Sequence, residues 1–524
     1  MLPTLDKSKT YKQIDNDFSA GIWHRHGAKG NTYYAGENLS GDAYPAVQSR
    51  PPRRIWQRFA SDVYGMFCAG DLFLANNLEL CKAVSQYKVS VLGKINKLDK
   101  IFGALGNQLL ILPDFRVYDT DTGQLKSRYV NLLLSNVLIQ NQNYVDEEGI
   151  ARTIRFNTLQ CNDFNFLDYF SPGDSVTLSG SLKNNGIYTI RAVEEFCLRF
   201  DENSFVAEDM ESCTLTVQPP YSLEGVCTCD GRLWGYSEDT IYATVPGDVT
   251  NWFRYDGDEH SSYCLRVPGS EPFTACVMHA GRPVFFKSNS MVEVYGDNPT
   301  NYAVVETPLS GVMAGSGASL CSVGGDMLYL SNNGVVRCSG SSAAVISESL
   351  GKRLCDGVAT TDGRKYYLSA ADEDGARALY VYDTVTDAWH VEEGANVKYL
   401  GYLSGDVYAY CSDRAVYILG QDKTGHGMVQ GPPSSHIEFH SLQDDARGEI
   451  VPVRLGVRVR CEQGSELKLS VSYDGGEWEE RARLEYTGSK LWYVPLLPRV
   501  CHTLGIRIDG DGEYQILSVI KEYK

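Results

Sequence analysis

Short apolar runs and polar turns alternate along most of the chain. From Ile55, "YGMFCAGDLFLANNLELCKA" reads as strand, turn and strand. "DKIFGALGNQLLILPDFRVYDTDTGQLKSR" adds strands separated by Gly-Asn, Asp-containing and Thr-Gly turns. A Gly-Asn or Asp-Gly step between apolar runs signals a hairpin, because those residues tolerate positive φ. The same grammar returns in "GVCTCDGRLWGYSEDTIYATV", "FTACVMHAGRPVFFKSNSMVEVYG", "ASLCSVGGDMLYLSNNGVVRCSG", "DGVATTDGRKYYLSAADEDGARALYVYDTVTDAWHV" and "NVKYLGYLSGDVYAYCSDRAVYILG". With the two early units this makes about seven passes of roughly 35 to 50 residues, a period that implies a propeller or solenoid. Strand-only repeats with tight polar turns favour a β-propeller, since radial closure protects the sheet edges.

Three segments break the beat. Between Tyr129 and Tyr221, "FSPGDSVTLSGSLKNNGIYTIRAVEEFCLRFDENSF" spaces its strands differently and reads as a small β-barrel or sheet domain inserted between blades. After the linker "QDKTGHGMVQGPPSSH", period-two alternation in "VPVRLGVRVRC", "SELKLSVSYDGGEWEERARLEY" and "YQILSVIKEY" predicts a β-sandwich. The first fifty residues show no convincing periodicity, and Pro51-Pro52 forces extended backbone, which predicts an arm lying across a surface. The expected fold is therefore all-β: a β-propeller of about seven blades, an inserted barrel-like domain and a C-terminal β-sandwich. Its divisions are an arm (1–54), first blades (55–130), the insert (131–218), remaining blades (219–430) and the sandwich (431–524).

Composition sharpens this picture. The 524 residues include 50 Gly and 33 Tyr, the usage of many short strands and turns. No apolar run approaches the ~20 residues of a membrane helix, and "MLPTLDKSKTYKQIDNDF" lacks the apolar region of a signal peptide. Fifteen cysteines, an odd number spread singly through apolar contexts, read as reduced thiols in a protein made in a cytoplasm. A net charge of −18 disfavours sequence-independent nucleic-acid binding. Through Arg58 nine Lys/Arg face five Asp/Glu, +4, which leaves −22 for the remainder. A basic arm on an acidic body is expected to dock on an acidic neighbour, with Arg50, Pro51, Pro52, Arg53, Arg54 and Arg58 as the subunit contact.

Candidate chemistry is sparse. "GVMAGSGAS" (Gly311 to Ser319) lacks the Lys of a P-loop, and "HRH" (His24 to His26) lacks a third ligand. Cys227 and Cys229 in "VCTCDG" have no second pair nearby and read as core. "SYDGGEW" (Ser472 to Trp478) is one residue too short for a sialidase Asp-box and reads as a hairpin capped by Trp478. Two acids in a propeller mouth could cleave a glycoside without any local pattern, but the clusters at Asp256 to His260 and Ala371 to Gly375 fall in predicted hairpin loops. Trp252 and Trp389 are expected to pack between blades. "RVYDTDTGQ" and "LYVYDTVTDAWHVEEG" repeat one phrase, expected to be the same hairpin corner at Tyr118-Asp119 and at Tyr382-Asp383. No catalytic, metal or cofactor residue is assigned, and no enzyme activity is expected.

Several phrases, in order, resemble a known family: "GDVTNWFRYDGDE", "FTACVMHAGRPVFFKSNSMVEVYGDNPTNY", "LYLSNNGVV", "LYVYDTVTDAWHVEEG" and the tail "LSVSYDGGEWEE … PRVCHTLGIRIDG". They resemble virion structural proteins of tailed bacteriophages and prophages. The plan from Ile55 onward is similar to packaged-DNA stabilisation (tail hub) proteins, which pair a propeller with a terminal sandwich. The inserted domain and the basic arm depart from that pattern. The resemblance implies a neck or tail component, made in the bacterial host cytoplasm. It would assemble in a ring with its own copies and with portal, adaptor or other tail proteins, extend the channel and retain DNA by passive contact, without a membrane. The alternative is a receptor-binding or glycan-binding or glycan-hydrolysing tail protein that uses the propeller face.

Overall fold

The computed structural model describes residues 10–25, 30–128, 130–145, 151–170, 172–202, 204–217, 221–255, 257–269, 271–394, 396–420, 431, 433–444 and 448–524. These are almost entirely β; three single 3-10 turns, Phe166–Asp168, Gly317–Ser319 and Glu348–Leu350, are the helical elements among the described residues. Seven sheets of four strands recur among those residues, spanning 63–94, 101–127, 225–266, 275–308, 321–345, 354–392 and, for the seventh, 397–419 plus one remote strand. Within six of them the strands follow sequence order, which is the topology of a propeller blade.

Local chemistry builds each blade. The second strand is the most apolar, as in Gln108–Leu112, Arg282–Phe286, Asp326–Ser331 and Lys365–Asp372, and is buried on both faces. The first strand is only half-buried, as in Gly225–Cys229 and Ala275–His279. Two-residue turns join the first and second strands. Asp230-Gly231 (φ 50° and 67°) and Ala280-Gly281 (φ 49° and 77°) both take the left-handed conformations whose twist matches a hairpin.

The chain divides into two compact units. One comprises residues 73–82 and 90–308. Its closed six-stranded barrel runs Asn131–Val145, Ala151–Cys161, Cys197–Phe200, Gly186–Glu194, Ser175–Ser179 and Glu208–Val217, the last pairing back to the first. Leu159, Phe166, Leu178, Ile190 and Leu215 fill it, continuous with Leu110, Phe115, Leu233 and Trp252 of the flanking blade segments. A buried ion pair, Lys100 Nζ to Asp114 at 2.7 Å, ties the second sheet together at 0% and 1% side-chain exposure.

The other unit comprises residues 1–72, 83–89 and 309–524. Its sandwich sets Pro452–Cys461, Gly488–Pro495 and Tyr514–Tyr523 in one sheet and Ser435–Leu442, Glu466–Tyr473, Glu479–Glu485 and Leu504–Asp511 in the other. Their alternating Leu455, Val457, Val459, Leu467, Leu469, Val471, Ile506 and Ile508 form the core.

The N-terminal segment is not an arm, which corrects the sequence reading. Five strands, β1 (Tyr11–Asp15), β2 (Ala35–Glu37), β3 (Leu39–Ser40), β4 (Val47–Ser49) and β5 (Arg54–Arg58), are woven into this unit. β1 and β4 pair in tandem with Tyr514–Tyr523, β3 pairs with β4, and β2 edges Ser435–Leu442. β5 is the fourth strand of the seventh sheet, antiparallel to Ala415–Leu419. Phe18, Ile22, Tyr33, Leu39 and Val47 are buried in the sandwich core, and Lys521, also buried, pairs with Asp15 at 2.8 Å. Apolar burial and sheet pairing hold the segment down.

Candidate functional site

A highly charged cavity arises where β2 meets the sandwich and the end of the sixth sheet. Register places Glu37 opposite His436, whose Nδ1 stands 3.3 Å from the Glu37 carboxylate. Gly36 suits the crowding here, because a Cβ would stand 2.5 Å from Leu39 and 3.0 Å from the Tyr33 ring and would push those side chains aside. Asn38, at φ 57°, then reverses the chain. Its Oδ1 accepts the Glu393 N–H (3.1 Å) and Arg50 Nε (3.0 Å), and its Nδ2 donates to the Ser434 carbonyl (2.8 Å). This draws Glu393 close to Glu37. Burial, then the Glu393 carboxyl, lift Glu37 to about 7.

The cavity has a volume of about 460 Å3, and Glu37, Glu393, His436, Lys468, Arg507 and Asp509 are among its lining residues. Its cations are answered locally: Lys468 by Asp509 at 3.2 Å, and Arg507 by Asp509 at 2.5 Å. Burial and the Arg507 charge hold His436 below its ordinary pKa, so it is neutral at pH 7. The arrangement therefore holds the Glu37 carboxyl well above its ordinary range, within a lattice of compensated ions.

No family model and no curated protein matches the chain in sequence. Solved structures similar to it include the computationally designed Ika8 protein, at 10% identity and TM-score 0.36, covering 70% of this chain and all of that one. BamB from Moraxella catarrhalis is similar at 11% identity and TM-score 0.34, covering 75% and 99%. Trypanosoma rangeli sialidase is similar at 8% identity and TM-score 0.23, covering 98% and 95%.

The residues singled out in the sequence fall elsewhere. Arg50 and Arg53, expected to face a neighbouring subunit, are buried inside the unit at 3% and 4% side-chain exposure and share one carboxylate. Glu392 lies 2.9 Å from Arg53 Nη2 and 3.7 Å from Arg50 Nε. Pro51 and Pro52 bridge β4 to β5, and Arg50 Nη1 donates to the Pro51 carbonyl at 3.1 Å. Arg54 and Arg58 lie on β5; Arg58 is exposed and pairs with Asp413 at 3.4 Å. A basic segment read from its own charges alone misses Glu392, which the fold supplies from the sixth sheet.

The two Tyr-Asp-Thr phrases occupy the same corner, between the third and fourth strands of the second and sixth sheets. Tyr118 and Tyr382 are buried, while Asp119 accepts the N–H groups of Asp121 and Thr122 (both 2.9 Å) and Asp383 that of Val385 (2.9 Å). Trp389 is buried and donates through Nε1 to the Ile346 carbonyl of the preceding sheet's exit at 2.9 Å. Trp252 is buried between blade segments and the barrel. Trp478, 41% exposed, lies over Gly505, where a Cβ would stand 3.2 Å from the indole.

Arg25 pairs with Glu348 at 3.0 Å and the His24 and Tyr34 rings meet at 4.4 Å, tilted by 32°; His26 and Asp256 lie outside the described residues. Asp372, in the "AADEDG" cluster, accepts the N–H groups of Asp374 and Ala376 and so closes its own hairpin. All fifteen cysteines are free thiols, and Cys227 packs against the same core cluster as Cys276 of the next sheet. Glu37, Glu392 and Glu393 escaped the sequence reading because each gains its role only from a remote partner. The "EEG" closing the repeated phrase was the nearest available signal.

Proposed function

We propose that the chain is a structural component of a tailed-phage particle, at the neck, tail hub or tail. It assembles with copies of itself and adjacent portal, adaptor or tail proteins to extend the channel and retain packaged DNA. The observation that carries this reading is the double tie of residues 10–58. They complete both sheets of the sandwich and also the seventh sheet, so that pulling on either part must shear paired strands. That construction suits a part under load. The acidic body suits a channel whose wall repels DNA phosphates. Because Arg50 and Arg53 are buried inside the unit, contact with neighbouring copies falls to other surfaces.

Immunogold labelling of intact particles, with mass photometry of the purified full chain, tests the proposal. Labelling at the neck or tail and a discrete oligomer are expected; a monomer at tens of micromolar with unlabelled particles overturns it. Deleting residues 1–54 is no clean probe, since it strips four strands from the sandwich.

A second reading, a glycan-binding tail protein, is supported by a cavity of about 540 Å3 whose lining includes Trp23, Tyr382, Asn31, Arg337 and Asp387. An aromatic face beside planar polar groups is the chemistry that grips a sugar ring. Binding of host cell-wall polysaccharide that is lost in Trp23→Ala supports this reading, and binding unchanged by the substitution refutes it.

A further inference from the structure

A separate cavity of about 470 Å3 opens where the turn joining the second and third strands of the seventh sheet meets the connection from the sixth. Arg53, Arg377, Asn396, Ser412, Asp413 and Tyr417 are among the residues lining it. Two guanidinium groups face it with a single carboxylate, in a chain whose net charge is −18. That carboxylate is already engaged: Asp413 accepts the Tyr417 hydroxyl at 2.6 Å and pairs with Arg58 at 3.4 Å.

Behind the wall the imbalance deepens. Arg50 and Arg53 are both almost wholly buried, and among the described residues they share Glu392 alone, one carboxylate for two guanidinium charges. Arg53 Nη2 spends its hydrogen bonds on Glu392 and, at 3.5 Å, on the Glu393 carbonyl, while its Nε is buried without a partner. Cys411, which also lines the cavity, does not provide the missing anion, since burial pushes its thiol up to about 12 despite the Arg53 charge. Arg377 donates through Nη1 to the Asp356 and Ser369 carbonyls at 3.0 and 3.4 Å, and no carboxylate among the described residues pairs with it. Removing charge from water without a counter-charge is strongly unfavourable.

We infer that the cavity framed by Arg53 and Arg377 is a binding site for an oxyanion carried on a small polar molecule, a phosphate or a sugar carboxylate. Guanidinium forks match such groups in geometry and charge, and the Asn396 and Ser412 side chains offer further donors to a polar body attached to the anion. The site does not depend on the particle proposal and holds for either reading of the chain's function.

Isothermal titration of the full chain with inorganic phosphate, glucuronate and glucose, at constant ionic strength, tests the inference. Saturable binding of phosphate, glucuronate or both is expected, with glucose silent; which anion binds identifies the source. Arg377→Gln weakens binding about 10- to 100-fold, the scale of one charge-assisted hydrogen bond. Arg377→Lys retains part of it, and Arg266→Gln, an exposed arginine far along the chain, leaves it unchanged. Should Arg377→Gln not fold, Ser412→Asp, on an exposed turn, places a carboxylate at the rim and abolishes binding instead. Saturation by neither anion, or wild-type binding in both folded variants, overturns the site.

Discussion

Glu392→Gln is the sharpest test of how the N-terminal segment is held. Glu392 is the one carboxylate serving two buried guanidinium groups, 2.9 Å from Arg53 and 3.7 Å from Arg50, and its own side chain is 16% exposed. Removing one partner of a buried ion pair typically costs about 3–5 kcal/mol, because the surviving charge stays buried. Partial access to water places Glu392 near the lower end, about 3 kcal/mol. At a urea slope of about 1–3 kcal/mol/M, this lowers the midpoint for the unit containing the sandwich by about 1 M or more. Amide exchange should quicken at Arg50 and Glu393, whose N–H groups bond to the carbonyl and side chain of Asn38. Arg58→Gln is the contrast: its partner Asp413 and Arg58 itself are both about half exposed, so the loss stays under about 1 kcal/mol. If Arg50 and Arg53 were a hook for another copy, Glu392→Gln would alter assembly and leave the isolated chain's unfolding untouched. A midpoint within 0.2 M of wild type refutes the internal staple.

Three further outcomes follow from the buried titratable groups. Burial holds His390, whose Nδ1 meets the Tyr33 hydroxyl at 3.0 Å, down at about 4. Its folded pKa lies below the ordinary value of about 6.5, so its contribution is present above 6.5 and is lost as pH falls toward 4. NMR should find its ring neutral at pH 5.5, and a mid-point near 6.5 refutes the assignment. Glu37 is the opposite case: its folded pKa of about 7 exceeds the ordinary carboxyl value, so its contribution is full below about 4.5 and is lost as pH rises through 7. Glu37→Gln should flatten that part of the stability profile measured by urea unfolding between pH 5 and 8, whereas a parallel profile counts against the raised Glu37 carboxyl. Asp114→Asn strands Lys100 in the second sheet and should cost about 3–5 kcal/mol. The double variant Lys100→Met, Asp114→Leu should recover most of it, and equal losses in both would show that the ion pair is not the cause.

What could be read in the sequence was what local chemistry decides. The Asp230-Gly231 and Ala280-Gly281 steps form the turns their φ tolerance demands, and apolar runs such as "QLLIL" become strands buried on both faces. The repeated Tyr-Asp-Thr phrase fixes one corner twice, because in both copies its Asp answers the N–H group two residues ahead. The interruption before Tyr221 is a closed barrel, and the period-two tail is a sandwich. Pairing partners are not local, and there the sequence misled. "RIWQR" is a half-buried strand wherever it pairs, and nothing within it names Ala415–Leu419 as its neighbour. β2, β3 and β4 are two or three residues long, too short for alternation to rise above loop composition.

The charges misled for the same reason. An arginine in an aperiodic segment is a surface residue by default, since few charged side chains are fully buried unless paired. For Arg50 and Arg53 the pair is made by a glutamate at the end of the sixth sheet, the single carboxylate they share among the described residues. The excess of positive charge through Arg58 was therefore visible, but its meaning was inverted. Instead of projecting outward to meet an acidic neighbour, part of it is folded inward against too little counter-charge, beside a cavity with a second arginine on its wall. A fold that needed only to anchor its N-terminal segment could have done so with Leu or Val at these positions and no desolvation cost. Retaining two guanidinium groups there is understandable if the compensating anion arrives from outside the chain.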